Sequence, residues 1–163
     1  MTPEKIPESS PEAPATFVMP DDSDGFNLAE LAGWHLLEKK GENLVVLDLR
    51  GRSDVCDFFV IAEGNSDVQV RALARNLQNK LLDAGHRAKG IEGMDDGRWV
   101  LIDFFDVVVH VFHPETRRYY QLEKLWGDAG RLDLDPSWFA SPEVSGRHPG
   151  IVAPPQPGSG PAS

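Results

Sequence analysis

The first group of side chains able to do chemistry is Gly51-Arg52-Ser53 with Asp57 shortly after it. A glycine-serine turn running into a carboxylate-bearing strand can hold a triphosphate over two magnesium ions for nucleotidyl transfer. Two-metal chemistry needs at least two carboxylates at alternate strand positions, pointing to one side, with a third nearby. Here the position two after Asp57 is Phe59, so the pair is missing. Asp103 and Asp106 are three apart at a strand junction and make a poor substitute. The spacing favours a structural reading, in which Ser53 and Asp57 fix the turn and cap the strand through side chain-to-backbone hydrogen bonds.

His110 and His113 are the next candidates, as metal ligands. Residues three apart on a strand face opposite sides, so the two imidazoles diverge. No Cys-x-x-Cys or His-x-x-x-His spacing supports them, and zinc wants four ligands or three plus water. The expectation is a buried His110 hydrogen-bonded to a carboxylate or carbonyl. Cys56, just before Phe58 and Phe59, reads as an inert core thiol. No histidine is spaced to serve as base for a serine or cysteine nucleophile. No catalytic residue, metal or cofactor is expected.

A different kind of run remains: Trp99, Asp103, Asp106 and His110, then Arg117 through Trp126. Tyr, Trp and Arg at this density suit an interface, because they bury large area while keeping a polar tip. A core Trp, a core Tyr and a solvated charged helix would have the same composition. On composition alone both readings stand.

The elements that must position these residues are legible from periodicity. Asn27 can cap a helix over Leu28 to Lys40, with Gly41 past its end. Leu44 to Leu49 and Asp57 to Ala62 read as strands, antiparallel because the turn between them is short. Ser66-Asp67-Val68-Gln69 has the form of a capping box. The helix after it carries an apolar stripe of Val70, Leu73, Ala74, Leu77, Leu81 and Leu82. Gly85 ends it. Strands follow over Ala88–Glu92, Arg98–Phe104 and Val107–Phe112, the last apolar on both faces as a central strand should be. Pro114 then opens a helix to about Trp126, with Tyr119, Leu122 and Trp126 on one face. The predicted fold is α/β: a mixed sheet of about five strands with flanking helices.

Charge and proline mark the edges of this unit. The net charge is −10, but residues 27–126 hold 16 acids against 13 Lys and Arg. Most of the net negative charge therefore lies outside the core, and the overall charge does not identify a basic partner. It does argue against direct binding to DNA, which needs a basic stripe. Only Pro114 of the 13 prolines falls within 27–126. Residues 1–26 read as a disordered acidic, proline-rich tail, and 127–163 as a mostly disordered Pro/Gly-rich one. A single cysteine fits a reducing cytosol. No apolar stretch reaches the length of a membrane span, and the N-terminus lacks the features of a signal peptide. A cytoplasmic location is expected.

Taken together the motifs resemble those of the ribosomal silencing factors, the Iojap-like family. Gly51-Arg52-Ser53 through Asp57, Gly64-Asn65-Ser66 with Val70 and Ala74, and Gly90-Ile91-Glu92-Gly93 are similar to the first half of that pattern. Trp99 through Asp103, Asp106 through Phe112, and Arg117 through Tyr120-x-Leu122-Glu123-x-Leu125-Trp126 are similar to the second half. Two positions depart from it. Phe105 stands where the family commonly has Gly, and Cys56 where it has Thr or Ser. The resemblance implies a nucleotidyltransferase-like core without catalytic carboxylates. It also implies a translational repressor that binds the fourteenth large-subunit ribosomal protein and sterically blocks subunit joining. It nominates Trp99, Asp103, Asp106, Tyr120, Glu123 and Trp126 as partner-binding residues, the acids meeting Lys or Arg and the aromatics filling the centre. An exposed aromatic docking face would favour a homodimer in the free protein. The alternatives are a residual nucleotidyltransferase using Ser53, Asp57 and Asp103, or a large-subunit assembly factor.

Overall fold

The computed structural model describes residues 24–151; the disorder expected of 1–23 and 152–163 falls outside the described residues. In chain order the elements are α1 (Asp24–Glu38), β1 (Glu42–Asp48), β2 (Phe58–Glu63), α2 (Asp67–Asp83), β3 (Gly90–Glu92), β4 (Trp99–Asp103) and β5 (Val107–Phe112). Then come α3 (Pro114–Tyr120), α4 (Leu122–Leu125), β6 (Gly130–Asp133), a 3-10 turn (Trp138–Ala140) and α5 (Pro142–Arg147).

Helix α1 starts before the expected cap at Asn27, because Phe26 is already buried and held in the first turn. Its end is also different in detail. Lys40, not Gly41, takes the left-handed conformation (φ 72°), and the Gly41 amide donates to Leu36 O at 2.8 Å. Glycine is needed at 41 for space, since a Cβ there would lie 2.9 Å from that same carbonyl. Helix α2 forms as its capping sequence predicts, with the Gln69 amide donating to Ser66 Oγ at 3.1 Å. The reciprocal bond goes one residue further back: Gln69 Oε1 accepts from the Asn65 amide. Leu82, placed in the apolar stripe by spacing, is exposed; the buried stripe is Val70, Leu73, Ala74, Leu77 and Leu81.

The sheet has six strands in the order β3-β4-β5-β2-β1-β6. β2 and β5 run parallel at its centre, and every other pairing is antiparallel. All six residues of β5 are buried, as its unbroken apolar run predicted. Alternation along the strands divides the sheet into two faces. Phe58, Val60, Val100, Ile102, Val107, Val109 and Val111 face the helical layer of α1 and α2. Each fully buried Leu, Ile or Phe in such a layer contributes roughly 1.5–3 kcal/mol. Phe59, Ile61, Trp99, Leu101, Val108 and Phe112 face the other way, where Leu122, Trp126 and Ala129 meet them. That second layer is thin, and Phe59, Trp99 and Leu101 stay half-buried.

Two expectations need correction. The single helix from Pro114 to Trp126 is broken at Gln121, which sits in the left-handed region (φ 49°) and separates α3 from α4. Consequently Tyr119 does not share a face with Leu122 and Trp126: it is 80% exposed, whereas Leu122 is buried. The folded structure also extends past Trp126. β6 pairs with β1 as a sixth strand, and Phe139, Val144 and Ile151 join the core beneath α1. Glu30 of α1, 0% exposed, holds this segment in place. Its carboxylate accepts from Trp138 Nε1 (2.7 Å) and from Arg147 Nε and Nη2 (2.9 and 2.8 Å), and it lies 2.9 Å from His148 Nε2. Burial alone would raise the Glu30 pKa, but the bonds from Arg147, His148 and Trp138 bring it down to about 2.

Candidate docking surface

The half-covered sheet face carries a continuous line of aromatic rings. Tyr120 packs on Trp99 (ring centroids 4.9 Å), and Trp99 stacks on Phe112 at the same separation. The Trp99 indole donates from Nε1 to His110 Nδ1 at 3.1 Å. His110 in turn meets Phe59 edge-on at 4.4 Å, and Phe59 meets Trp126 at 6.0 Å. The line therefore runs from α3 across β4, β5 and β2 to the residue after α4. β4 and β5 position its middle because Trp99 is registered opposite Phe112 and Leu101 opposite His110.

His110 is buried as expected, but its partner is an indole rather than a carboxylate or carbonyl. Burial pushes its pKa down to about 3, so the imidazole is neutral at physiological pH. Accepting from Trp99 at Nδ1 places its own proton on Nε2. His113 diverges from it and caps α3, with Nδ1 accepting from the Glu115 amide at 3.2 Å.

Of the six residues nominated from sequence, Trp99, Tyr120 and Trp126 belong to this aromatic line. Glu123 is nearby but already engaged: Arg117 donates to its Oε2 from Nη2 at 2.5 Å and from Nε at 3.2 Å. Burial would raise the Glu123 carboxyl, and Arg117 more than offsets this, holding it below its ordinary range. The same guanidinium reaches Asn43 O (2.7 Å) and Glu63 Oε2 (3.2 Å), so it bridges the α3–α4 break to β1 and β2. Asp103 and Asp106 lie apart from the rings, at the β4–β5 turn. Asp103 Oδ1 accepts from the Phe105 amide at 2.8 Å, and the exposed Asp106 accepts through its carbonyl from the Asp57 and Phe58 amides.

The six nominated residues leave out Phe59 and Leu101, and also Tyr119 and Leu125, which lie within the Arg117–Trp126 run weighed as an interface. Tyr119 and Leu125 are strongly exposed, the latter at 74%. Alternation along β2 and β4 is the signal that could have found Phe59 and Leu101, by placing them on the face of Trp99.

The region weighed for metal chemistry serves the turn. Ser53 Oγ accepts from the Val55 amide at 3.0 Å, and Asp57 contributes its backbone, with its amide on Asp106 O (2.8 Å) and its carbonyl accepting from Leu49 (2.8 Å). Among the described residues no three His, Cys, Asp or Glu side chains form a group that could hold a metal ion. Burial, reinforced by Asp103, Asp57 and Asp106, pushes the Cys56 thiol up to about 11, which keeps the nucleophilic thiolate away. No helix among the described residues is long and apolar enough to cross a membrane.

Comparison with known proteins identifies the family. Residues 22–149 match the family model described as "Ribosomal silencing factor during starvation". The ribosomal silencing factor RsfS of Bacillus subtilis (strain 168) is 52% identical over 98 residues, covering 60% of this chain and 83% of that protein. The Halalkalibacterium halodurans RsfS is 48% identical over 108 residues, covering 66% and 92%. A mouse protein named "Mitochondrial assembly of ribosomal large subunit protein 1" is 32% identical over 94 residues, covering 56% of this chain and 41% of its own length. A crystal structure from Chromobacterium violaceum superposes with a TM-score of 0.63 at 40% identity, covering 64% of this chain and 88% of that one. Matching far more than half its length to a family of silencing factors rather than of enzymes, this chain belongs to the RsfS ribosomal silencing factor family.

Proposed function

We propose that this protein represses translation by binding the large ribosomal subunit through its fourteenth protein and sterically blocking the small subunit from joining. The observation that carries the proposal is the aromatic line Tyr120-Trp99-His110-Phe59-Trp126 on a sheet face that the two long helices do not cover. Aromatics backed by a rigid sheet supply contact area with little side-chain entropy left to lose, as interface centres require. Tyr119, Tyr120 and Leu125 extend this patch into solvent. Asp103 and Asp106, apart from the rings at the β4–β5 turn, are suited to meet Lys or Arg of a ribosomal protein at a separate contact. Steric blockade needs no cofactor, and the proposed site of action is the cytoplasm. In the absence of subunits the same face is expected to pair two copies of the chain.

The direct test is capture of the isolated fourteenth protein by the purified chain, with Trp126→Ala and Tyr120→Ala as variants. Each truncation should weaken capture by at least about tenfold, the scale of a hot-spot residue. Unchanged capture by both would remove the aromatic line from the interface. A second reading, assistance to large-subunit assembly, is favoured by the name of the mouse relative. It predicts immature large particles in cells lacking the protein, under conditions where nutrients are plentiful.

A further inference from the structure

All six residues of β5 are buried and five are apolar; His110 is the exception. On the open sheet face it pairs with Leu101 and lies diagonal to Trp99. The rings of Phe59, Trp99 and Phe112 surround it, with centroids at 4.4, 5.9 and 6.2 Å. Among the described residues its side chain makes one hydrogen bond, accepting from Trp99 Nε1 at Nδ1. Its Nε2 is buried there without a hydrogen-bond partner. A buried orphan donor costs at least as much as one neutral hydrogen bond returns, so stability does not account for a histidine in this strand. What the bond supplies is direction. Phe112 stacks on the indole at 29° and Tyr120 packs against it, which fixes the plane of the ring. Such packing is nearly indifferent to a half-turn of the ring, and the Trp χ2 torsion is broad and roughly two-fold. Among these contacts only the bond to His110 tells one edge of the indole from the other.

We propose that His110 is a positioning residue of the docking surface: its Nδ1 selects one of the two flips of Trp99, so that the indole meets the large subunit already oriented. The inference rests on the docking reading above and names how a central ring of that face is held. A ring fixed beforehand has less freedom to lose on association, and binding is tighter by that difference.

The test uses the full chain and purified large subunits, with His110→Leu, His110→Asn and, as a second background, Trp99→Phe. His110→Leu removes both the acceptor and the orphan donor, so its urea midpoint should match or exceed that of wild type. It should nevertheless bind large subunits about fivefold more weakly, the scale of one lost hydrogen bond. Asn carries Oδ1 where the imidazole has Nδ1, so His110→Asn should recover binding toward the wild-type level. In the Trp99→Phe background, with no indole N–H to orient, His110→Leu should cause no further loss. Nuclear magnetic resonance of the wild-type chain should show a proton on His110 Nε2, none on Nδ1, and a single set of Trp99 indole signals. Unchanged binding by His110→Leu, an equal loss in the Trp99→Phe background, or a proton on Nδ1 overturns the assignment. So does a binding loss that tracks a lowered urea midpoint and that Asn does not recover. If the wild-type chain itself does not bind large subunits, the docking reading fails, while the resonances still report the tautomer and the ring orientation, so the two failures are distinguishable.

Discussion

Glu30→Gln isolates the interaction that fastens residues 130–151 to the rest of the protein. The native carboxylate, 0% exposed, faces Arg147, Trp138 and His148. Its pKa falls from 4.5 to about 2, which corresponds to folding free energy on the order of 3 kcal/mol. Removing one partner of a buried ion pair costs about 3–5 kcal/mol on general grounds, which agrees. Against a typical total of about 5–15 kcal/mol this is a large fraction. Because the folded-state pKa is depressed, the contribution is complete above pH 4.5 and is lost as pH falls through 4.5 toward 2. Urea unfolding at pH 7 should therefore show a loss of about 3 kcal/mol for the variant. The difference from wild type should shrink progressively below pH 4.5 as the native carboxylate is itself neutralised. Hydrogen exchange should report lost protection in β6 and α5 before α2. A cost below about 1 kcal/mol at pH 7, or a difference that persists near pH 2, would refute the argument.

Further outcomes follow from other side chains. Glu123→Gln should lower stability by about 1–3 kcal/mol in urea unfolding, because Arg117 loses one of its two carboxylate partners and keeps only Glu63; full stability with lost ribosome binding would place Glu123 at the interface itself. His110 contributes in the same pH direction as Glu30 but over a higher window: its depressed pKa favours the folded state above pH 6.5, and the contribution is lost as pH falls toward 3. His110→Phe should accordingly flatten the acid dependence of stability between those limits, and an unchanged profile would mean the imidazole is not the group that titrates.

How much of this was legible from sequence varies with the range of the interactions. Helix α2 was legible apart from Leu82 and the partner of the Gln69 side chain, because the Ser66–Gln69 cap and the leucine stripe are local signals. β5 was legible because a strand buried on both faces must be apolar throughout. β6 was not: four residues with Leu132 as their one large apolar side chain resemble a loop, and only pairing with β1 makes them a strand. The Glu30 cluster joins groups more than 100 positions apart, a separation over which no periodicity operates. The break at Gln121 lacks the Gly or Pro that normally marks one; Arg117 bridging Asn43, Glu63 and Glu123 spans it instead. On the half-covered sheet face, residue types nominated Trp99, Tyr120 and Trp126, which the fold brings into one aromatic line. They did not reveal that Glu123 is already paired within the chain, nor that Phe59 lies on the same face.

The central claim concerns subunit joining, and one gradient experiment reads it out. Purified large and small subunits are mixed under joining conditions with increasing amounts of the protein, then separated by sedimentation. The account predicts that joined ribosomes decline in proportion to added protein, which migrates with the free large subunit. Undiminished joined ribosomes, with the protein absent from the large-subunit fractions or carried along on intact ribosomes, would contradict it.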